Sequence, residues 1–171
     1  MIRILGIDPG SRFTGYGIVE SEGNHLRHVT SGTIRLGDAD YPDRLRRIFV
    51  EISGVIDAEA PTEAAVERVF MNRNADSAIK LGQARGVAVV ACSMRDLPLH
   101  EYSANQIKQA LVGRGHAAKP QIQHMVRVLL NLREAPQADA ADALAVAICH
   151  AHTRSSLQHM PGNAARAGRA V

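Results

Sequence analysis

The sequence predicts an α/β domain: a mixed five-stranded sheet, antiparallel meander first and parallel strands after, flanked by helices. Three observations predict it. The first 36 residues hold three short apolar or β-branched runs, parted by turn residues. From residue 44 onward, stretches of helical period alternate with short apolar runs. The chain has 171 residues, 46% of them hydrophobic, which suits one domain with a sizeable core.

Each element follows from a local signal. Residues 2–8 read as a buried strand that stops at the turn Pro9-Gly10. Strands at 15–20 and 26–36 are parted by Glu22-Gly23-Asn24. Residues 44–58 carry a helical stripe of Leu45, Ile48, Phe49, Ile52, Val55 and Ile56, ended by Pro61. A strand at 64–70 precedes a long helix at 74–94 with Gly82 and Gly86 inside it. A strand at 97–102 follows, and Ser103 can cap a short helix at 104–112. Residues 113–119 form a loop, and Pro120 suits the first turn of a helix at 121–132. The last helix spans 139–153, which makes 1–153 the domain. Residues 154–171, rich in Gly, Ala and Arg, are expected to be a disordered basic tail.

No apolar stretch reaches the roughly 18 residues of a membrane span, and the first residues lack a signal-peptide pattern. Cys92 and Cys149, both in apolar settings, argue against a disulfide framework or a zinc site. His150 and His152, two apart on a helix, point away from each other and make no zinc pair. A reducing cytosol is the expected compartment. The net charge of +3 belongs to the tail, which holds three of the 20 basic residues and none of the 17 acids. Two windows of the balanced body are cation-rich. Residues 102–133 contain no acid but hold Lys108, Arg114, Lys119, Arg127 and Arg133. Residues 68–95 set Arg68, Arg73, Lys80, Arg85 and Arg95 against Asp76 alone. Such windows are either solvated helix faces or surfaces that track phosphates.

Four carboxylates sit in apolar surroundings. Asp8 ends Ile4-Leu5-Gly6-Ile7, Glu67 interrupts the strand at 64–70, and Asp139 and Asp142 share a face of an alanine-rich helix. Each has a structural alternative. Asp8 can open a turn, Glu67 can pair with Arg68 or Arg3, and Asp139 can be an N-cap. Gathered together they would repel one another and need a divalent cation. The alanines would let their helix press against the sheet and carry both aspartates to the strand ends. Hard oxygen ligands suit Mg²⁺, and two such ions about 4 Å apart can activate water for phosphoryl transfer.

Several segments resemble the RuvC family, the bacterial crossover junction endodeoxyribonucleases. They are Gly6-Ile7-Asp8-Pro9-Gly10-Ser11, Thr14-Gly15-Tyr16-Gly17, Glu67-Arg68-Val69-Phe70-Met71, Asn74-Ala75-Asp76-Ser77-Ala78, Leu81-Gly82-Gln83-Ala84-Arg85-Gly86, Glu101-Tyr102 and 137–144. The resemblance implies a ribonuclease H-like fold, cleavage of four-way (Holliday) junction DNA in recombination and repair, and a homodimer in the bacterial cytoplasm. It implies that Asp8, Glu67, Asp139 and Asp142 hold metal, two Mg²⁺ per subunit with Mn²⁺ able to substitute. It places Lys108 and Lys119 near the scissile phosphate and makes Phe70 the aromatic that stacks on bases at the junction centre. Arg73, Lys80, Arg85 and Arg114 are the further expected DNA contacts. The branch-migration proteins RuvA and RuvB are the implied partners. Gly82 and Gly86 are candidates for a subunit interface or for packing on the chain's own sheet, and His116 receives no role.

Two other readings compete. The first phosphate loop of actin/Hsp70-like ATPases resembles residues 6–11, but those enzymes need two such domains. A non-catalytic junction binder would lack some of the four carboxylates, and all four are present.

Overall fold

A computed structural model describes residues 1–68, 74–113, 115 and 117–158. Ten elements run in the order β1 (Ile2–Asp8), β2 (Phe13–Glu22), β3 (His25–Arg35), α1 (Tyr41–Glu59), β4 (Glu63–Glu67), α2 (Ala75–Ser93), β5 (Leu99–Tyr102), α3 (Ala104–Val112), α4 (Lys119–Leu129) and α5 (Ala138–Gln158). The strands form one sheet in the order β3-β2-β1-β4-β5. β1, β2 and β3 pair antiparallel, whereas β4 pairs parallel with both β1 and β5. This is the expected mixed five-stranded sheet of the ribonuclease H-like type.

Alternation sorts each strand's side chains to two cores. Leu5, Ile7, Ile18, Ala64 and Val66 pack against α1 and α2. Ile4, Val19 and Ala65 lie on the opposite face, under α5 with α3 and α4 around it. α5 lies close to the sheet because small residues meet on both sides. Ala140, Ala143 and Ala147 line the helix underside. Gly6, Gly15 and Gly17 lie beneath them, where a Cβ would collide with the Ala143 carbonyl, the Asp139 carbonyl and the Leu144 side chain, respectively. Gly6 and Gly17 face each other across the β1–β2 ladder.

Several boundaries differ from expectation. β2 is longer at both ends, since its pairing with β3 runs from Phe13 to Glu22. β4 ends at Glu67, because its ladder with β5 ends at the Glu67–Tyr102 pair. α5 continues to Gln158, so residues 154–158 are helical; Arg154 anchors this extension by an ion pair with Glu63. α3 begins with a capping box, in which the Gln106 backbone N–H donates to Ser103 Oγ while the Ser103 N–H donates to Gln106 Oε1 at 2.9 Å. α4 begins at Lys119, two residues earlier than expected, with Pro120 in its first turn.

Candidate active site

Asp8 is the last residue of β1, and alternation puts it on the face of Ile4 and Gly6, beneath α5. Glu67 closes β4 on the same face as Ala65. It was expected in mid-strand and lies instead at the strand terminus, where the next backbone N–H, that of Arg68, donates to the Tyr102 carbonyl at 2.7 Å. Asp139 and Asp142 come from the start of α5. The Ala141 N–H donates to the Gln137 carbonyl at 2.8 Å, so Gln137 takes the cap position and Asp139 lies within the first turn. Gly15 pairs with Asp8 across the ladder, and its bare Cα lets the Asp139 backbone settle on the strand ends.

The four groups feel one another. Asp8 is pushed up from 3.8 to about 7, chiefly by burial, then by the charges of Asp142, Glu67 and Asp139, with Lys119 opposing. Glu67 is also raised, by burial first and Asp142 second, while Lys108 and Lys119 oppose. Lys119 Nζ donates to Asp142 Oδ2 at 2.7 Å. That bond, with the neighbouring Asp8 and Asp139, holds the lysine more firmly protonated than usual, against a smaller effect of burial. The alternative partners for Glu67 are engaged elsewhere: Arg3 bonds Glu20 at 2.8 Å, and Arg68 approaches Glu101 at 3.6 Å. A cavity opens beside the carboxylates, lined by Glu67, Lys108, Lys119 and Asp142 over Ile107, Ile122 and Ala145.

An acid that resists ionisation chiefly because it is buried, and further because three other acids surround it, marks a site short of positive charge, and a divalent cation fits that deficit. The carboxylates are not a closed cage. Among the described residues, the only three ligating side chains whose donor atoms all lie within 4.8 Å of one another are Glu63, His100 and His150, elsewhere on the sheet. An open set of carboxylates suits Mg²⁺, which keeps several waters and leaves room for a phosphate.

Comparison with known proteins decides the family. The model of the family described as crossover junction endodeoxyribonuclease RuvC matches residues 4–150. The crossover junction endodeoxyribonuclease RuvC of Hahella chejuensis is 55% identical over 160 residues, 94% of this chain and 93% of that one. The chain belongs to the RuvC family. The RuvC of Shewanella amazonensis is 56% identical over 164 residues, 96% of this chain and 95% of its own. Among solved structures, T. thermophilus RuvC in complex with Holliday junction substrate superposes with a TM-score of 0.87 at 35% identity, over 91% of this chain and 96% of that one. The matched span, residues 4–150, contains the positions of all four carboxylates, Lys108 and Lys119. A RuvC-family chain with this cluster is a nuclease with a candidate divalent-metal site.

The remaining expected contacts divide. Phe70, Arg73 and Arg114, with His116, lie outside the described residues. Lys80 and Arg85 are on α2 and engaged with acids: Lys80 Nζ bonds Asp76 at 2.7 Å, and Arg85 pairs with Glu101. Glu101 therefore joins Arg68, the neighbour of Glu67, to α2. Its placement was not legible in advance, because it depends on the register that sets Val66 beside Glu101.

Proposed function

We propose that this chain is a structure-selective endonuclease that resolves four-way junctions by paired symmetric nicks, in homologous recombination and DNA repair. One observation carries the reading: Glu67 and Asp142 line a cavity with Lys108 and Lys119, and Asp8 feels the charges of Glu67, Asp139 and Asp142, in a RuvC-family chain. The four carboxylates would hold Mg²⁺, in the two-ion arrangement the resemblance implies, with Mn²⁺ able to substitute. Bound there, the metal supplies Lewis acidity to the phosphate and acidifies water. Lys119 keeps its proton and meets a phosphodiester with a charge-assisted hydrogen bond from beside Asp142. Lys108 stands across the same cavity and adds positive charge where charge develops. Asp8 and Glu67, on adjacent parallel strands, would hold the metal at a fixed place relative to α5.

A homodimer supplies the two nicks of a near two-fold junction. The outer face of α2 supports that assembly. Gly82 and Gly86 have open space around them, and Ile79, Val90 and Met94 are exposed. These glycines therefore do not pack on the chain's own sheet. Phe70 is proposed as the wedge that stacks on bases, Arg73 and Arg114 as phosphate contacts, and RuvA and RuvB as partners. No helix among the described residues is long and apolar enough to cross a membrane, and the cytoplasm is the proposed compartment.

The test is a labelled synthetic junction incubated with and without Mg²⁺. Wild type should give symmetric nicks only with the metal, and Asp142→Asn should bind the junction without cutting it. Normal cutting by Asp142→Asn would remove the catalytic assignment.

A further inference from the structure

β4 carries an acid at each end of one face. Glu67 feeds the cavity described above, and Glu63 lies four residues away, about 13 Å along the strand. α5 spans the same distance: Asp142 serves the first end, and His150, eight residues on and about 12 Å along the helix, reaches the second. There His150 Nε2 lies 2.6 Å from Glu63 Oε2, and His100 Nε2 from β5 lies 4.0 Å from the same oxygen. The two imidazoles are stacked, with centroids 4.3 Å apart and planes inclined by 28°. A cavity lined by Glu63, His100, Tyr102, His150 and Arg154 opens at this point.

We propose that Glu63, His100 and His150 form a second metal site that takes Zn²⁺ or a similar borderline transition ion, separate from the carboxylate site. Three arguments support it. The donor set is two imidazoles and one carboxylate, which suits Zn²⁺, whereas Mg²⁺ takes oxygen. The distances suit too. Tetrahedral zinc places its N and O ligands about 3.3 Å apart; the two imidazole–carboxylate distances, 2.6 and 4.0 Å, bracket that value, and binding requires the stacked rings to turn so that both Nε2 atoms face one point. The supporting shell is also in place. Tyr102 Oη lies 2.7 Å from His150 Nδ1 and aims the Nε2 at Glu63, while Arg154 holds the other Glu63 oxygen and leaves Oε2 for the metal.

His150 is 3% exposed, and burial first, then the adjacent His100, favours its neutral form against the pull of Glu63. Neutral imidazole is the ligating form. With Nε2 on the metal, the neutral ring would carry its one proton on Nδ1 and donate it to Tyr102 Oη. The bound ion ties α5 to the β4–β5 edge, and a fourth position faces the cavity. His150 and His152 do point apart, as read from the sequence: His152 Nδ1 lies 3.1 Å from the Ala110 carbonyl. The partners of His150 come instead from two strands, 87 and 50 residues earlier.

The test is a Co²⁺ titration of the full chelator-stripped chain, read by visible absorption and followed by displacement with Zn²⁺. In wild type, intense tetrahedral bands should grow in and saturate at one equivalent bound in this site, and Zn²⁺ should abolish them whereas Mg²⁺ leaves them. His100 is half-exposed, so His100→Asn should fold as wild type does and lose the bands. Asp142→Asn should keep them. Zn²⁺ should raise the melting temperature of wild type and not of His100→Asn. Absence of tetrahedral bands in wild type, their persistence in His100→Asn or their loss in Asp142→Asn would each overturn the proposal.

Discussion

Asp8→Asn should make the metal-free protein more stable while removing its nuclease activity. Asp8 ionises near 7 in the fold, against an ordinary 3.8, with burial as the leading cause. An acid whose folded value is raised binds its proton more tightly when folded. Its contribution is therefore favourable below about pH 4 and is lost as pH climbs through about 7. Above both values the loss is about 4 kcal/mol, and at pH 5 it is about 2 kcal/mol. These figures are ceilings, because Asp142, Glu67 and Asp139 can share the proton. An asparagine keeps the shape without the charge. In EDTA near pH 8, urea denaturation should show Asp8→Asn more stable than wild type by up to about 4 kcal/mol, and the gap should narrow by about half at pH 5. Saturating Mg²⁺ should stabilise wild type and shrink the gap. Equal stability of the two proteins in EDTA near pH 8 would refute the account of Asp8 as a buried carboxylate crowded by neighbouring negative charge.

Lys119→Gln should lower the rate of nicking by about 100-fold or more with little change in junction affinity, measured by single-turnover cleavage beside a gel-shift titration; an unchanged rate would remove its proposed role. Below about pH 7, protons on Asp8 compete with the metal, so the Mg²⁺ concentration for half-maximal nicking should rise by up to about tenfold per pH unit. A midpoint that does not move between about pH 7 and pH 6 would count against that competition. Gly6→Ala should cost about 1–3 kcal/mol in urea unfolding, because its Cβ meets the Ala143 carbonyl and the Ala147 backbone. Gly54→Ala, a helical position with open space, should gain about 0.5–1 kcal/mol; similar behaviour of the two variants would contradict the close α5 packing.

The order of elements and the mixed sheet were legible because strand and helix periods are local. So was the shared face of Asp8 and Gly6, which follows from alternation alone. The close approach of α5 was half legible. The alanines of the helix announce it, but the glycines beneath come from two strands and meet only through the Gly6–Gly17 register. Glu67 was expected one turn of the pleat too early in its strand, since apolar Val69 and Phe70 extend the pattern past the point where β5 ends. The Glu63, His100 and His150 grouping had no local signal at all, because each residue lies on a different element.

The charge windows show the same limit more sharply. Residues 68–95 looked cation-rich, yet every described cation in them has a carboxylate partner. Arg68 and Arg85 share Glu101, Lys80 meets Asp76, and Arg95 forms a two-pronged bond to Asp57 with both distances 2.6 Å. Glu101 and Asp57 lie outside the window, so counting within it overstates its free charge. Residues 102–133 behave differently. Lys119 meets only Asp142, itself one of the four site carboxylates, and Lys108, Arg127 and Arg133 have no salt bridge among the described residues. Of the two windows, the second is thus the one with uncompensated positive charge, on the α3–α4 side of the active site, beside the cavity that Lys108 and Lys119 line. A phosphate backbone drawn to that side passes the four carboxylates, whereas one drawn to the paired cations of α2 must first break an ion pair.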